Sequence, residues 1–303
     1  AQQEDDGDPQ ASLRTIETLL GRLHGNDLAG IHLLELHLHR LQVLMSLGRY
    51  SQVVEACTRA QVLLDRVLPS WSEFFRTTLR LEGAYCAVYL DPRPEAADRL
   101  LESLESVDLP GTMRFIARSV RGELELTRGN VRTAALIQRV SLRYAGNWRS
   151  ILGSGSQWEL YILSMCLVTD VELSPDDAVE LDAGAIRARA TSLLRDILSD
   201  PAPRQRDIPT IMGFAAAVGL SAAAAAEPGS QRRAVGAELV ATALAVGTNQ
   251  TYRLLSHDYL RTRTERLDTP ALGQAEERIR GLDRSELVAH AADLAGRLAG
   301  EVG

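Results

Sequence analysis

The chain predicts an all-α fold of about fourteen helices that pair as antiparallel hairpins. Three observations carry that prediction. Ala, Leu and Arg dominate the composition while aromatics make up only 5%, and those three residues rank among the best helix formers. Apolar residues recur at helical spacing almost from end to end, whereas the Val, Ile, Thr and aromatic runs that mark strands are nearly absent. Short Gly, Pro and Asp punctuation separates the periodic segments, so consecutive helices fold back on one another.

In the first half the period places helices at 12–24, 29–47, 50–66, 72–90, 94–106, 110–127 and 131–144. The acidic approach "AQQEDDGDPQ" is expected to be a disordered tail over 1–11, with no signal peptide before the first helix. A chain that begins without Met is expected to be an excised or processed piece. Gly48 and Gly129 each end one helix, and the next begins within two residues; Gly relieves the left-handed strain at a helix C-terminus. Asp91-Pro92-Arg93-Pro94 makes the same turn between them. Gly146 to Ser156, "GNWRSILGSGS", reads as a linker between residues 12–145 and a second helical region over 157–303.

The second half predicts helices at 157–171, 184–199, 208–226, 230–246, 250–265, 270–281 and 284–299. The acidic stretch from Asp170 to Asp182 reads as a solvated insertion, because Pro175 stands where a calcium loop needs Gly. Ile208 to Ala226 has 19 uncharged residues, near the length of a membrane span. About half of it is Ala, much less lipophilic than Leu or Phe, so a tightly packed internal helix is expected and no membrane insertion. The last helix is expected to cap the stack, with Ser285 as its N-terminal cap.

Composition excludes several chemistries. There is no lysine, so all 33 basic residues are Arg. A Walker A loop, a pyridoxal-phosphate enzyme, a kinase and a Ser-x-x-Lys hydrolase each require one. Net charge is −7 with the arginines scattered, without the basic face of a nucleic-acid binder. Cys57, Cys86 and Cys166 lie far apart within apolar patterns, which points to buried thiols in a reducing, cytoplasmic setting. "GSGS" at 153–156 lacks the spacing of a nucleophile elbow or a dinucleotide fingerprint. His257 and Asp258 are adjacent, about 100° apart on a helix, so an exposed pair is expected rather than acid–base work. Trp71, Trp148 and Trp158 read as partly buried anchors. No cofactor, metal or enzymatic activity is expected.

Gly83 and Gly122 fall in the first helices of their pairs at a spacing of 39, the mark of stacked helix pairs. With Gly48-Arg49-Tyr50 at a turn, Val53, Cys57 and Ala60 on the next helix, and Gly122, Gly129 and Ala134 later, residues 30 to 145 resemble the tetratricopeptide repeat family. His37 and Arg40 depart from it, standing where the family favours large apolar residues. The resemblance implies a right-handed superhelix, an α-solenoid, whose concave groove binds peptides or protein segments.

On the helix at 29–47, His32, Glu35, His39, Gln42 and Ser46 form one polar stripe at 100° per residue, and leucines cover most of the rest. The resemblance places Glu35, Gln42 and Ser46 on the groove, with His39 and Glu123 assigned to it as well. A plain solvated face is the competing reading. His32, Glu35 and His39 could converge on a metal, but the stretch offers no fourth ligand. His37 is expected to pack with its ring hydrogen-bonded. Tyr252, Arg253, Tyr259 and Arg261, with Arg263, mark a possible interface, since Tyr and Arg are enriched there; arginines lying over apolar surface are an equal alternative. The expected function is non-catalytic binding of a protein or peptide, as a scaffold or regulatory subunit. The alternatives are an effector domain of a bacterial transcription regulator that senses a small molecule, and a structural subunit of a tethering complex.

Overall fold

The computed structural model describes residues 9–23, 30–67, 94–105, 111–145, 155–199, 208–250 and 252–300, with scattered positions between 76 and 88. Among them the chain is all-helical, with thirteen bounded α-helices, one short 3₁₀ turn and no strand. It forms two compact units, Ala1–Arg128 and Gly129–Gly303.

In the first unit lie α1 (Pro9–Leu23), α2 (Gly30–Ser46), α3 (Tyr50–Val67), α4 (Pro94–Glu105) and α5 (Gly111–Thr127). Packing runs between neighbours in sequence: α1 on α2, α2 on α3, α4 on α5. On α3 the buried residues are Val53, Ala56, Ala60 and Leu64, one stripe at helical spacing. Cys57, expected on that stripe, is only half-buried. Helix α1 starts at Pro9 instead of residue 12, because proline is pre-set for the first helical turn, where no N–H is needed. Residues 9–11 of the expected tail are therefore helical, and residues 1–8 lie outside the described ones. So does most of the helix expected at 72–90; Thr77, Leu79, Leu81, Ala84, Cys86 and Val88 within it are helical and buried.

The turn after α2 closes as the sequence anticipates. Gly48 has φ of 68°. Its N–H donates to Met45 O at 2.9 Å, and Arg49 N–H donates to Leu44 O at 2.9 Å, the pair of bonds that ends a helix on a left-handed glycine. Gly129 also has positive φ, 81°.

The second unit holds α6 (Val131–Ala145), α7 (Gly155–Asp170), α8 (Pro175–Glu180), α9 (Ala183–Ser199), α10 (Ile208–Ala225), α11 (Gln231–Val246), the 3₁₀ turn Arg253–Leu255, α12 (His257–Arg278) and α13 (Arg284–Gly300). Residues 146–154 of the expected linker lie outside the described ones, and Gly155 and Ser156 already belong to α7.

Helix α10 is the axis of this unit. Every residue from Ile211 to Ala223 is buried, and it packs against α7, α9, α11, α12 and α13. It is long and apolar enough to cross a membrane, with mean hydropathy 1.7, yet 72% of it is buried within the structure. A helix apolar on all sides needs such cover. The packing is not confined to neighbours in sequence, because α13 lies against α9 as well as α11.

Three local readings are revised. The acidic insertion holds helix α8, whose cap Ser174 accepts the Asp177 N–H and whose first residue is Pro175; the Ser-Pro start with acids in the first turn is a helix signal. The segments expected at 250–265 and 270–281 are two helical stretches that run together as α12 and part at Asp268, whose φ of −165° and ψ of 83° are non-helical and whose Oδ1 accepts the Ala271 N–H at 3.0 Å. What changes is the start of the first, at His257 and not 250. The cap of α13 is Asp283 and not Ser285. Its Oδ1 accepts the Glu286 N–H at 2.9 Å while Glu286 Oε2 accepts the Asp283 N–H at 2.7 Å, a reciprocal capping box.

Candidate functional site

Helix α2 presents two unlike faces. Leu34, Leu41, Val43, Leu44 and Met45 are buried. Glu35 and Gln42 are exposed, with His39 and Ser46 half-buried on the same stripe. His32 Nδ1 lies 3.3 Å from Glu35 Oε2, with both side chains at least 70% exposed. The Ser46 hydroxyl donates to Val43 O on its own helix at 2.8 Å, which leaves its oxygen able to accept from outside.

The polar residues within the apolar side explain how α2 is held. Arg40, 14% exposed, pairs with Glu17 of α1 at 3.2 Å. Arg49 donates to Gln10 at 3.1 Å. His37 differs from expectation, because its buried Nδ1 meets no hydrogen-bond partner. Burial, then Arg40 and Arg59, lower its pKa, so the ring packs as neutral imidazole.

Glu123 does not join this stripe. It is 2% exposed on α5, an interior residue of the first unit. Ser119, Val120 and Leu124 beside it are buried too, and Gly122 next to it adds no bulk. Nearby, Asp98 of α4 accepts from Arg121 and Arg128. Burial opposes its charge, yet donation from Arg128 and Arg121 holds the carboxyl below the ordinary range.

The second set of predicted residues is split between interior and surface. Tyr252 packs its ring on Tyr161, centroids 4.5 Å apart. Tyr259 lies under Arg263, whose guanidinium carbon is 5.1 Å from the ring centroid, and burial pushes its phenol pKa up. Arg263 also pairs with Glu172 at 2.9 Å. Arg261 bridges Glu265 at 3.0 Å and Glu276 at 2.8 Å. Arg253 is exposed. Tyr252 and Tyr259 thus serve packing, and Arg253 and Arg261 are what this segment offers to solvent.

Sequence reasoning missed a cleft of 410 Å³ in the second unit. One wall is the start of α6, from Gly129 to Thr133; the other is Glu172 to Ser174 with Asp177. Arg132 crosses it to Asp177 and to Glu180, the latter at 2.7 Å. The signal was the Ser174-Pro175-Asp176-Asp177 helix start, read instead as loop. Sequence reasoning also missed Glu238, 9% exposed on α11. It accepts from Arg278 Nε at 2.9 Å and lies 2.8 Å from His290 Nε2, and so ties α11 to α12 and α13.

Among the described residues no three His, Cys, Asp or Glu side chains converge on a point that could hold a metal. Cys166 is fully buried and its thiol is pushed up to about 12, by burial first and then by Asp170, which keeps it from acting as a thiolate. His257 and Asp258 are exposed neighbours 3.4 Å apart. Trp71 and Trp148 lie outside the described residues, as does the Trp158 side chain.

Comparison with protein-family models, with curated proteins and with solved structures finds no match to this chain.

Proposed function

We propose that the first unit is a protein- or peptide-binding module, a right-handed tetratricopeptide-like stack that serves as a scaffold or regulatory subunit without catalysis. The supporting observation is the division of α2. Its leucine face is buried while Glu35 and Gln42 stand in solvent at helical spacing from half-buried His39 and Ser46. Neighbour-on-neighbour packing of α1, α2 and α3 is what such a stack requires. The reading rests on this unit, since the second packs around a central helix instead.

A stripe carrying Glu35 on a chain of net charge −7 favours basic peptides. The test is a peptide array followed by titration of the peptides retained. Glu35→Arg is expected to lose basic peptides that the natural chain binds, with melting unchanged because Glu35 is exposed. Equal binding by both chains rejects the groove assignment.

A further inference from the structure

In the second unit most half-buried arginines are matched to a carboxylate. Arg139 binds Asp170 through both terminal nitrogens, at 2.8 and 3.0 Å. Arg233 pairs with Asp268 at 3.1 Å and Arg263 with Glu172 at 2.9 Å. Arg187 on α9 is held differently. Its Nε donates to Ser221 Oγ of α10 at 3.0 Å, and no carboxylate among the described residues lies within ion-pair distance of it.

The surroundings make that difference significant. Ser221 is 3% exposed, so it fixes one edge of the guanidinium from the interior. Asp170 faces Arg187 electrostatically, but both its oxygens are taken by Arg139, whose Nε is in turn held by Leu181 O at 2.8 Å. Arg232, in the first turn of α11, adds positive potential. Burial first, and then Arg232, pull the Arg187 pKa below its ordinary value, against the pull of Asp170. A half-buried charge without a direct ion pair is costly, and Asp170, already bound by Arg139, offsets that cost only from a distance.

We propose that Arg187, fixed by Ser221 and backed by Arg232, is an oxyanion-binding site that takes the carboxylate or phosphate group of a small molecule. With Nε committed to Ser221, the two terminal nitrogens remain as a planar fork, the arrangement that grips two oxygens of one anion. Lysine would replace it only in part, since an ammonium is a point charge without the fork. The site is separate from the α2 stripe and does not depend on the peptide-binding reading.

The test is calorimetric titration and thermal melting of the full chain with inorganic phosphate in one arm and succinate in the other, at matched ionic strength. At least one anion is expected to bind saturably and to raise the melting temperature. Arg187→Gln is expected to abolish that response, and Arg187→Lys to weaken it roughly tenfold. Without anion, the Gln variant is expected to melt at or above the temperature of the natural chain, because an unmatched half-buried charge has been removed. The responding arm identifies the anion class. No saturable response in either arm, or an equal response in Arg187→Gln, overturns the site.

Discussion

Gly219 and Gly236 cross with no room for a side chain on either. A Cβ placed on Gly219 would stand 2.6 Å from Gly236 O, and one on Gly236 would stand 2.6 Å from Gly219 O and 2.8 Å from Ala223 N. These obstacles are backbone atoms, which cannot swing aside as a side-chain tip can. The α10–α11 contact therefore exists only at glycine distance. Gly219→Ala and Gly236→Ala are each expected to destabilise the second unit by about 1–3 kcal/mol or more, the range for forced overpacking. Denaturant melting reads the loss. A neutral result at both positions would mean that the helices do not approach this closely.

Gly296 supplies the opposite case. It lies inside α13, has ordinary helical φ, and would present a Cβ to open space. Gly296→Ala is expected to stabilise by about 0.5–1 kcal/mol, since only the unfolded chain loses freedom. Opposite signs at Gly236 and Gly296 separate packing from propensity in one pair of melts.

The contrast between α3 and α10 shows how far the sequence could be read. Val53, Ala56, Ala60 and Leu64 announce a one-sided helix by their spacing, and the burial of α3 follows it. The Ile208–Ala225 segment is apolar on every side, so periodicity identifies it as internal without saying which helices surround it. Its neighbours depend on long-range crossings such as Gly219 on Gly236, which no local pattern encodes. The candidate residues divide the same way. Glu35 and Gln42 are exposed as their helical positions imply, whereas Glu123 is a charged type that the fold buries and half-buried Tyr252 packs on Tyr161, distant in sequence. Arg187 was invisible for a related reason. Its distinction is the carboxylate it lacks, and that is a property of the packed unit.

Gly48 tests the turn that joins α2 to α3. Its φ of 68° lies in the left-handed region, where a Cβ crowds the following carbonyl. Gly48→Val is expected to cost about 1–2 kcal/mol, read by chemical denaturation. Gly48→Asn is expected to cost less, because Asn tolerates that backbone better than β-branched residues do. Equal loss from both would indicate that the turn fails for a reason other than backbone strain.

Arg139 and Asp170 form a pair whose breaking should depend on pH. Their side chains are 12% and 4% exposed, so Arg139→Met leaves a carboxylate in a poor solvent. The expected loss near neutral pH is about 3–5 kcal/mol, the usual result of stranding one partner of a buried pair. Burial already raises the Asp170 pKa above its ordinary value even with Arg139 present, and removing the arginine raises it further. An acid whose folded pKa exceeds its unfolded value contributes stability below the unfolded value and loses it as pH rises. The difference between variant and natural chain is therefore expected to shrink toward acid, as Asp170 takes up a proton. A loss independent of pH would show that the stranded charge is not its cause.

His37 gives the reverse slope in the first unit. Its pKa is lowered by burial first and then by Arg40 on the same helix and Arg59 on α3. The unfolded chain, with imidazole near its ordinary value, binds a proton more readily than the folded one. Stability therefore rises with pH through the interval between the folded and unfolded values and is complete above the unfolded one. Below that interval the penalty is full, because folding must expel the proton or bury a cation beside two guanidiniums. The buried Nδ1, without a hydrogen-bond partner, adds no compensation. His37→Gln removes the titration while the other five histidines remain. Melting curves from about pH 5 to about pH 7, the range in which histidine changes charge, are expected to show a flatter acid limb for the variant. If the two profiles stay parallel, His37 is protonated as easily in the folded chain as in the unfolded one, and the ring is not packed among these groups.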